Sequence, residues 1–91
     1  MTELESLRNE IDRVDADLAD LFCRRMEIVK KIARCKKEAG LPLFDKARED
    51  EIFALHAGKI DDLFLLPYYK EFLDKLLALS KAYQKELGGK A

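Results

Sequence analysis

Leu4, Leu7, Ile11, Val14, Leu18 and Leu21 follow one another at alternating steps of three and four residues, the seam of a helix packed along its length against other helices. Ile28, Ile32 and Cys35 continue the series, so one helix is predicted over residues 4 to 38, with Thr2 or Glu3 near its start and Gly40 and Pro42 ending it. Such a helix measures about 52 Å. A compact chain of 91 residues has a radius of gyration near 12 Å and a diameter of about 30 Å. The helix is too long for its own chain to enclose, and a second copy is the simplest cover, as a two-fold dimer.

One position breaks the seam. Arg25 stands where the next Leu or Ile belongs. A cation on the packed stripe of a helix costs free energy unless an anion meets it, and that anion is either a side chain or a ligand.

The remaining sequence is that of an all-α protein with a single domain over residues 1–91. It is 48% hydrophobic and 38% charged, a mixture common in helical bundles, and no Trp, 2 Pro and 4 Gly leave little material for a turn-rich sheet. With 17 basic and 18 acidic residues the net charge is -1, so no global field draws in nucleic acid or an anionic membrane, and any anion site is local. No run approaches the roughly 18 apolar residues of a membrane span, and Met1 to Glu5 lack the basic and apolar regions of a signal peptide. A soluble cytoplasmic protein is expected.

Cys23 and Cys35 lie on the same predicted helix, about 18 Å apart along its axis, too far for an intrachain disulfide. They are read as reduced, space-filling residues. His56, the single histidine, has no Cys or His at metal-binding spacing and is read as an ordinary surface residue, so no metal site is expected.

A loop over residues 40–44 leads to a second helix of about residues 46 to 57, with Asp45 as N-cap and Gly58 as stop. Arg48, Ile52 and Leu55 share one of its faces; Glu49, Phe53 and His56 share the next, so Asp45, Arg48 and Glu49 cluster at its entry turn. Residues 58–65 read as a linker. Pro67 suits the first turn of a third helix, about 67 to 87, whose stripe of Tyr69, Phe72, Leu73, Leu76, Leu77 and Leu87 is interrupted by Ser80 and Gln84 and ended by Gly88 and Gly89.

The polar residues on these inner faces converge. Arg25 and Lys36 are eleven residues apart and return to within about 20° of one helical face after about 16 Å of rise. Arg8 precedes Arg25 by seventeen residues, about 25 Å along the axis, so it cannot reach a small ligand held by Arg25 and Lys36 of its own chain. In an antiparallel dimer the partner's Arg8 can. Taken singly, each has a plainer explanation: Arg25 paired with Glu49 or with an acidic residue of the other chain, Arg8 and Lys36 solvated flank positions, Asp45 a cap, and Ser80 and Gln84 setting register. Together, three cations, two neutral hydrogen-bonding groups and a carboxylate pair suit a small polyanion with at least two carboxylates and a hydroxyl.

Leu7-Arg8 with Ile11, Val14-Asp15, Leu18 and Leu21, then Arg24-Arg25, Lys36, Asp45 with Arg48-Glu49, and Ser80 with Gln84 follow the order and spacing of a known family. Over residues 4 to 87 the chain resembles the all-helical chorismate mutases, although residues 54–79 match only in helical pattern. The resemblance implies an intertwined six-helix homodimer of three-helix chains, with two sites that each borrow one arginine across the interface. It also implies the cofactor-free [3,3]-sigmatropic rearrangement of chorismate to prephenate, in phenylalanine and tyrosine biosynthesis, with no metal or covalent intermediate.

By the same resemblance, Arg25 with Ser80 binds the ring carboxylate, and the partner's Arg8 binds the side-chain carboxylate. Lys36 bridges that carboxylate and the ether oxygen, and Gln84 donates its amide N–H to the same oxygen. Asp45, through its backbone, and Glu49, through its carboxylate, accept from the ring hydroxyl, while Arg48 orients Glu49 and the helix entry. Gln84 stands where some relatives carry Glu, which bears on pH dependence. Two other readings are compatible with the pattern: an isochorismate pyruvate lyase of related fold, and a non-catalytic helical dimerisation or regulatory module. Gln84 and the Asp45/Glu49 pair favour the mutase.

Overall fold

The computed structural model describes residues 2–89, and every regular element among them is helical: α1 (Glu3–Ala39), α2 (Lys46–Ala57) and α3 (Leu66–Gly89). α1 starts where Thr2, in extended conformation, accepts the Glu5 N–H on its side chain at 3.2 Å, and Glu3 and Glu5 place negative charge against the positive end of the helix dipole. It stops at Gly40, whose φ of 68° is the left-handed conformation that a side chain disfavours. There the Leu41 N–H bonds the Lys36 carbonyl at 2.8 Å and the Gly40 N–H bonds that of Lys37 at 3.2 Å, a paired closure of the last turn. α2 is capped by the Asp45 carboxylate, which accepts the Arg48 N–H at 3.1 Å.

At its far end α3 departs from expectation. The helix does not stop at residue 87 but runs through Gly88 to Gly89. A glycine commonly ends a helix by turning left-handed; among the described residues only Gly40 does so, and Gly58 closes α2 at a right-handed φ of -65°. Lys90 and Ala91 lie outside the described residues.

α3 is the middle element: it packs on α1 and on α2, and those two do not pack on each other. Its buried stripe contains Leu73, Ser80 and Gln84, and Val29 of α1 meets it. Half-buried Glu49, Ile52, Phe53 and His56 form the packed face of α2. His56 is therefore not an ordinary surface residue, because it falls one turn beyond Ile52 and Phe53 on the side facing α3. Cys23 and Cys35 are free thiols, both exposed within the chain.

The molecule measures 56 × 28 × 15 Å with a radius of gyration of 16.7 Å, far from the roughly 12 Å of a compact chain this long. The excess is the N-terminal half of α1. Leu4, Leu7, Ile11, Val14, Leu18 and Leu21 are 48–58% exposed, a continuous apolar stripe left open by the described residues. Among the described residues no helix is long and apolar enough to cross a membrane.

Candidate functional site

The break in the α1 seam lands against the break in the α3 stripe. Arg25, half-buried, donates from Nη1 to Ser80 Oγ at 2.5 Å, 55 residues away in sequence. Ser80 is 4% exposed, and its hydroxyl donates to the Leu76 carbonyl one turn earlier at 2.9 Å. That bond fixes the hydroxyl proton and turns a lone pair toward the guanidinium. Burial pushes the Arg25 pKa below its ordinary value, yet a guanidinium keeps its charge at any physiological pH. The partner the structure gives this cation is thus a neutral hydroxyl. Glu49, its expected carboxylate in the plainer explanation, is engaged elsewhere.

One turn past Ser80, Gln84 is 8% exposed, and its Oε1 is buried with no hydrogen-bond partner. An unpaired buried amide oxygen costs about 1–3 kcal/mol. Gln84 lines a cleft of about 460 Å³ between α1 and α3, together with Lys30, Arg34, Lys37, Leu43 and Leu87. A second hollow, of about 400 Å³, lies on the α1–α3 face beside the exposed stripe, where Arg25 meets Leu18, Leu21, Phe22, Phe72 and Leu76. Lys36, in the last turn of α1, donates from Nζ to the Leu43 carbonyl at 2.8 Å, which ties the loop before α2 to the end of α1.

At the α2 entry the structure differs from the expected arrangement. Arg48 does not orient Glu49; its guanidinium pairs with Glu51 at 2.6 Å on the outer surface. Glu49 is instead met by Lys81 of α3, with Nζ 2.5 Å from Oε1. The reason is geometric: neighbours on a helix diverge by about 100°, so Arg48 points away while α3 lies opposite Glu49. The Asp45 side chain is occupied as cap, and its carbonyl accepts the Glu49 N–H at 3.1 Å.

Within one chain, then, Arg25 of α1 and Ser80 of α3 meet directly, Gln84 is buried one turn further along α3, and Glu49 of α2 is held by Lys81 of α3. Arg8 is not with them; it is exposed on the uncovered half of α1. Sequence reasoning passed over Lys30, Arg34 and Lys37, whose steps of four and three put them on one helical face, and Lys81. The spacing of the first three was a visible signal. Lys81 had none, since α3 carries charged flank positions throughout. Among the described residues no group of His, Cys, Asp and Glu is arranged to hold a metal ion.

The sequence pattern of the family described as chorismate mutase type II matches residues 7–85. The bifunctional chorismate mutase/prephenate dehydratase of Aquifex aeolicus is 34% identical over 89 residues, which cover 89% of this chain and 25% of that protein. The chorismate mutase of Methanocaldococcus jannaschii is 25% identical over 93 residues, 97% of this chain and 94% of that one. Among solved structures, the chorismate mutase (Form II) of Thermus thermophilus superposes with a TM-score of 0.87 at 26% identity, covering 92% of this chain and 96% of that chain. The chain spans a quarter or less of the length of the first curated relatives it matches.

Proposed function

As the chain belongs to the chorismate mutase type II family, we propose that it catalyses the rearrangement of chorismate to prephenate at a site completed by a second copy of itself. The observation that carries this reading is the half-buried Arg25, which faces a neutral hydroxyl where a lone cation calls for an anion. A dicarboxylate substrate supplies that anion.

The reaction breaks an ether C–O bond as a C–C bond forms, in one concerted step that needs no cofactor. The protein has two tasks: to hold the enolpyruvyl arm over the ring, and to stabilise charge growing on the ether oxygen. Arg25 and Ser80 take the ring carboxylate, and Arg8 of the partner subunit takes the side-chain carboxylate. Lys36, held at the end of α1 by the Leu43 carbonyl, reaches the side-chain carboxylate and the ether oxygen. Gln84, itself 8% exposed, donates its amide N–H to that oxygen. Glu49 accepts the single proton of the ring hydroxyl, and the backbone of Asp45 flanks that hydroxyl. Arg48 supports the entry of α2 through Glu51.

The dimer follows from the same helix. An antiparallel pairing of α1 with its copy covers the stripe from Leu4 to Leu21 and brings each Arg8 toward the other chain's Arg25, an isologous interface with two identical sites. Substituting Ile11→Glu places two charges in that interface, and sedimentation is expected to shift from dimer to monomer with loss of activity. A parent chain that sediments as a monomer would contradict the shared site.

The activity is tested by product identity. Purified protein is incubated separately with chorismate and with isochorismate. Prephenate from chorismate is the expected result. Salicylate and pyruvate from isochorismate instead would assign the lyase, and no turnover of either would assign a binding or regulatory role.

A further inference from the structure

Nothing in the apolar spacing of α3 singles out Lys81, yet it makes an ion pair that joins two helices. Lys46–Asp50, Arg48–Glu51 and Lys70–Asp74 are each local to one helix, with side chains 56–81% exposed. The Lys81 and Glu49 side chains are 40% and 21% exposed and bridge α3 to the first turn of α2. Water and salt screen such a pair less than they screen a fully exposed one, so it holds its direction better. The ammonium also lies 5.6 Å from the centroid of the Phe44 ring, in the residue just before the α2 cap. It is therefore fixed from two sides.

The neighbouring residue does a matching task. Ser80 accepts from Arg25, the cation of the site, while Lys81 holds Glu49, its anion. Consecutive helix positions diverge by about 100°, so a single turn of α3 presents Ser80 to α1 and Lys81 to α2.

We propose that Lys81 is a positioning residue that orients the Glu49 carboxylate toward the substrate's ring hydroxyl. Lys81 takes Oε1, and Oε2 is the oxygen that accepts from the hydroxyl. Without the ammonium, Glu49 samples other rotamers, and its ordering is drawn from substrate binding. The ring hydroxyl neither makes nor breaks a bond in the rearrangement, so its contact is equal in ground and transition states. Such a loss raises KM and leaves kcat unchanged.

This inference rests on the chorismate reading above, and the test separates the two. Steady-state kinetics with chorismate compare the parent with Lys81→Met, which keeps an apolar stem over Phe44, with Lys81→Arg, and with each change in a Glu49→Gln background. Lys81→Met is expected to raise KM about fivefold with kcat within about twofold of the parent, and Lys81→Arg to restore most of the KM. In the Glu49→Gln background, Lys81→Met is expected to change KM no further. An equal KM rise in that background would show Lys81 contacting substrate directly, and would overturn the proposal. So would an unchanged KM in Lys81→Met, or a lowered Tm with normal kinetics at a temperature where the variant is folded. A parent that turns over no chorismate overturns the activity reading, and this inference with it; an active parent with insensitive variants overturns this inference alone.

Discussion

Gln84→Ala and Lys36→Ala are each expected to lower kcat for chorismate disappearance by at least about tenfold while the proposed dimer persists, since removing one donor to a developing oxyanion typically costs about 10² to 10³ in rate. The two residues suit this role for different reasons. Gln84 is almost fully buried, so its N–H acts where the dielectric is low and needs no reorganisation during the reaction. Lys36 is anchored to the Leu43 carbonyl, which presets its position in the absence of substrate. The unpaired Gln84 Oε1 adds a separable readout. Gln84→Leu fills a similar volume without a buried acceptor, so it keeps or raises Tm while losing activity. Near-normal turnover in both alanine variants would sink the proposed charge stabilisation, and a glutamine needed only for packing would lose Tm together with rate.

Arg25→Ala and Arg8→Ala are each expected to be nearly inactive, with kcat/KM down by about 10² or more, on the order of the 2–5 kcal/mol lost when a desolvated charge is left without its partner. For Arg25 the argument is local. The cation is half-buried, its partner is a neutral hydroxyl, and in the proposed site it is the group that meets the ring carboxylate beside Ser80. For Arg8 the argument is one of distance, since about 25 Å of helix separate it from Arg25 in the same chain. A large effect from so remote and exposed a residue is expected only if it serves another chain's site. Parent-like kcat/KM in Arg8→Ala would place the site within a single protomer.

Much of this architecture can be read from residues because its causes are local. Thr2, Asp45 and Gly40 cap or close helices through contacts within a few residues, and the structure has each in that role. The overlong seam of α1 reports its own exposure, because length and periodicity need no tertiary information. The contacts between helices are a different matter. Arg25 and Ser80 meet across 55 residues, and their pairing was expected from family resemblance, with no support from spacing. Which flank of α3 faces α2 depends on how the helices cross, and periodicity does not encode that. Lys81 thus goes unmarked among the charged flank positions of α3, and Arg48 reads as the natural neighbour of Glu49, until α3 is seen opposite the α2 entry. Gly88 and Gly89 show the same limit at a helix end, because glycine permits a left-handed stop without requiring one.

In the proposed dimer, the helix that carries Arg25 in its seam serves two sites, giving Arg25 and Lys36 to one and Arg8 to the other. Mixed dimers of Arg8→Ala and Arg25→Ala chains test this most directly, measured by chorismate turnover after subunit exchange has been shown with a tagged partner. In a random mixture half the dimers are heterodimers, each with one site intact and one doubly damaged, so activity is expected to recover to roughly a quarter of the parent's. Exchanged mixtures that stay as inactive as the single variants would contradict a site shared between chains.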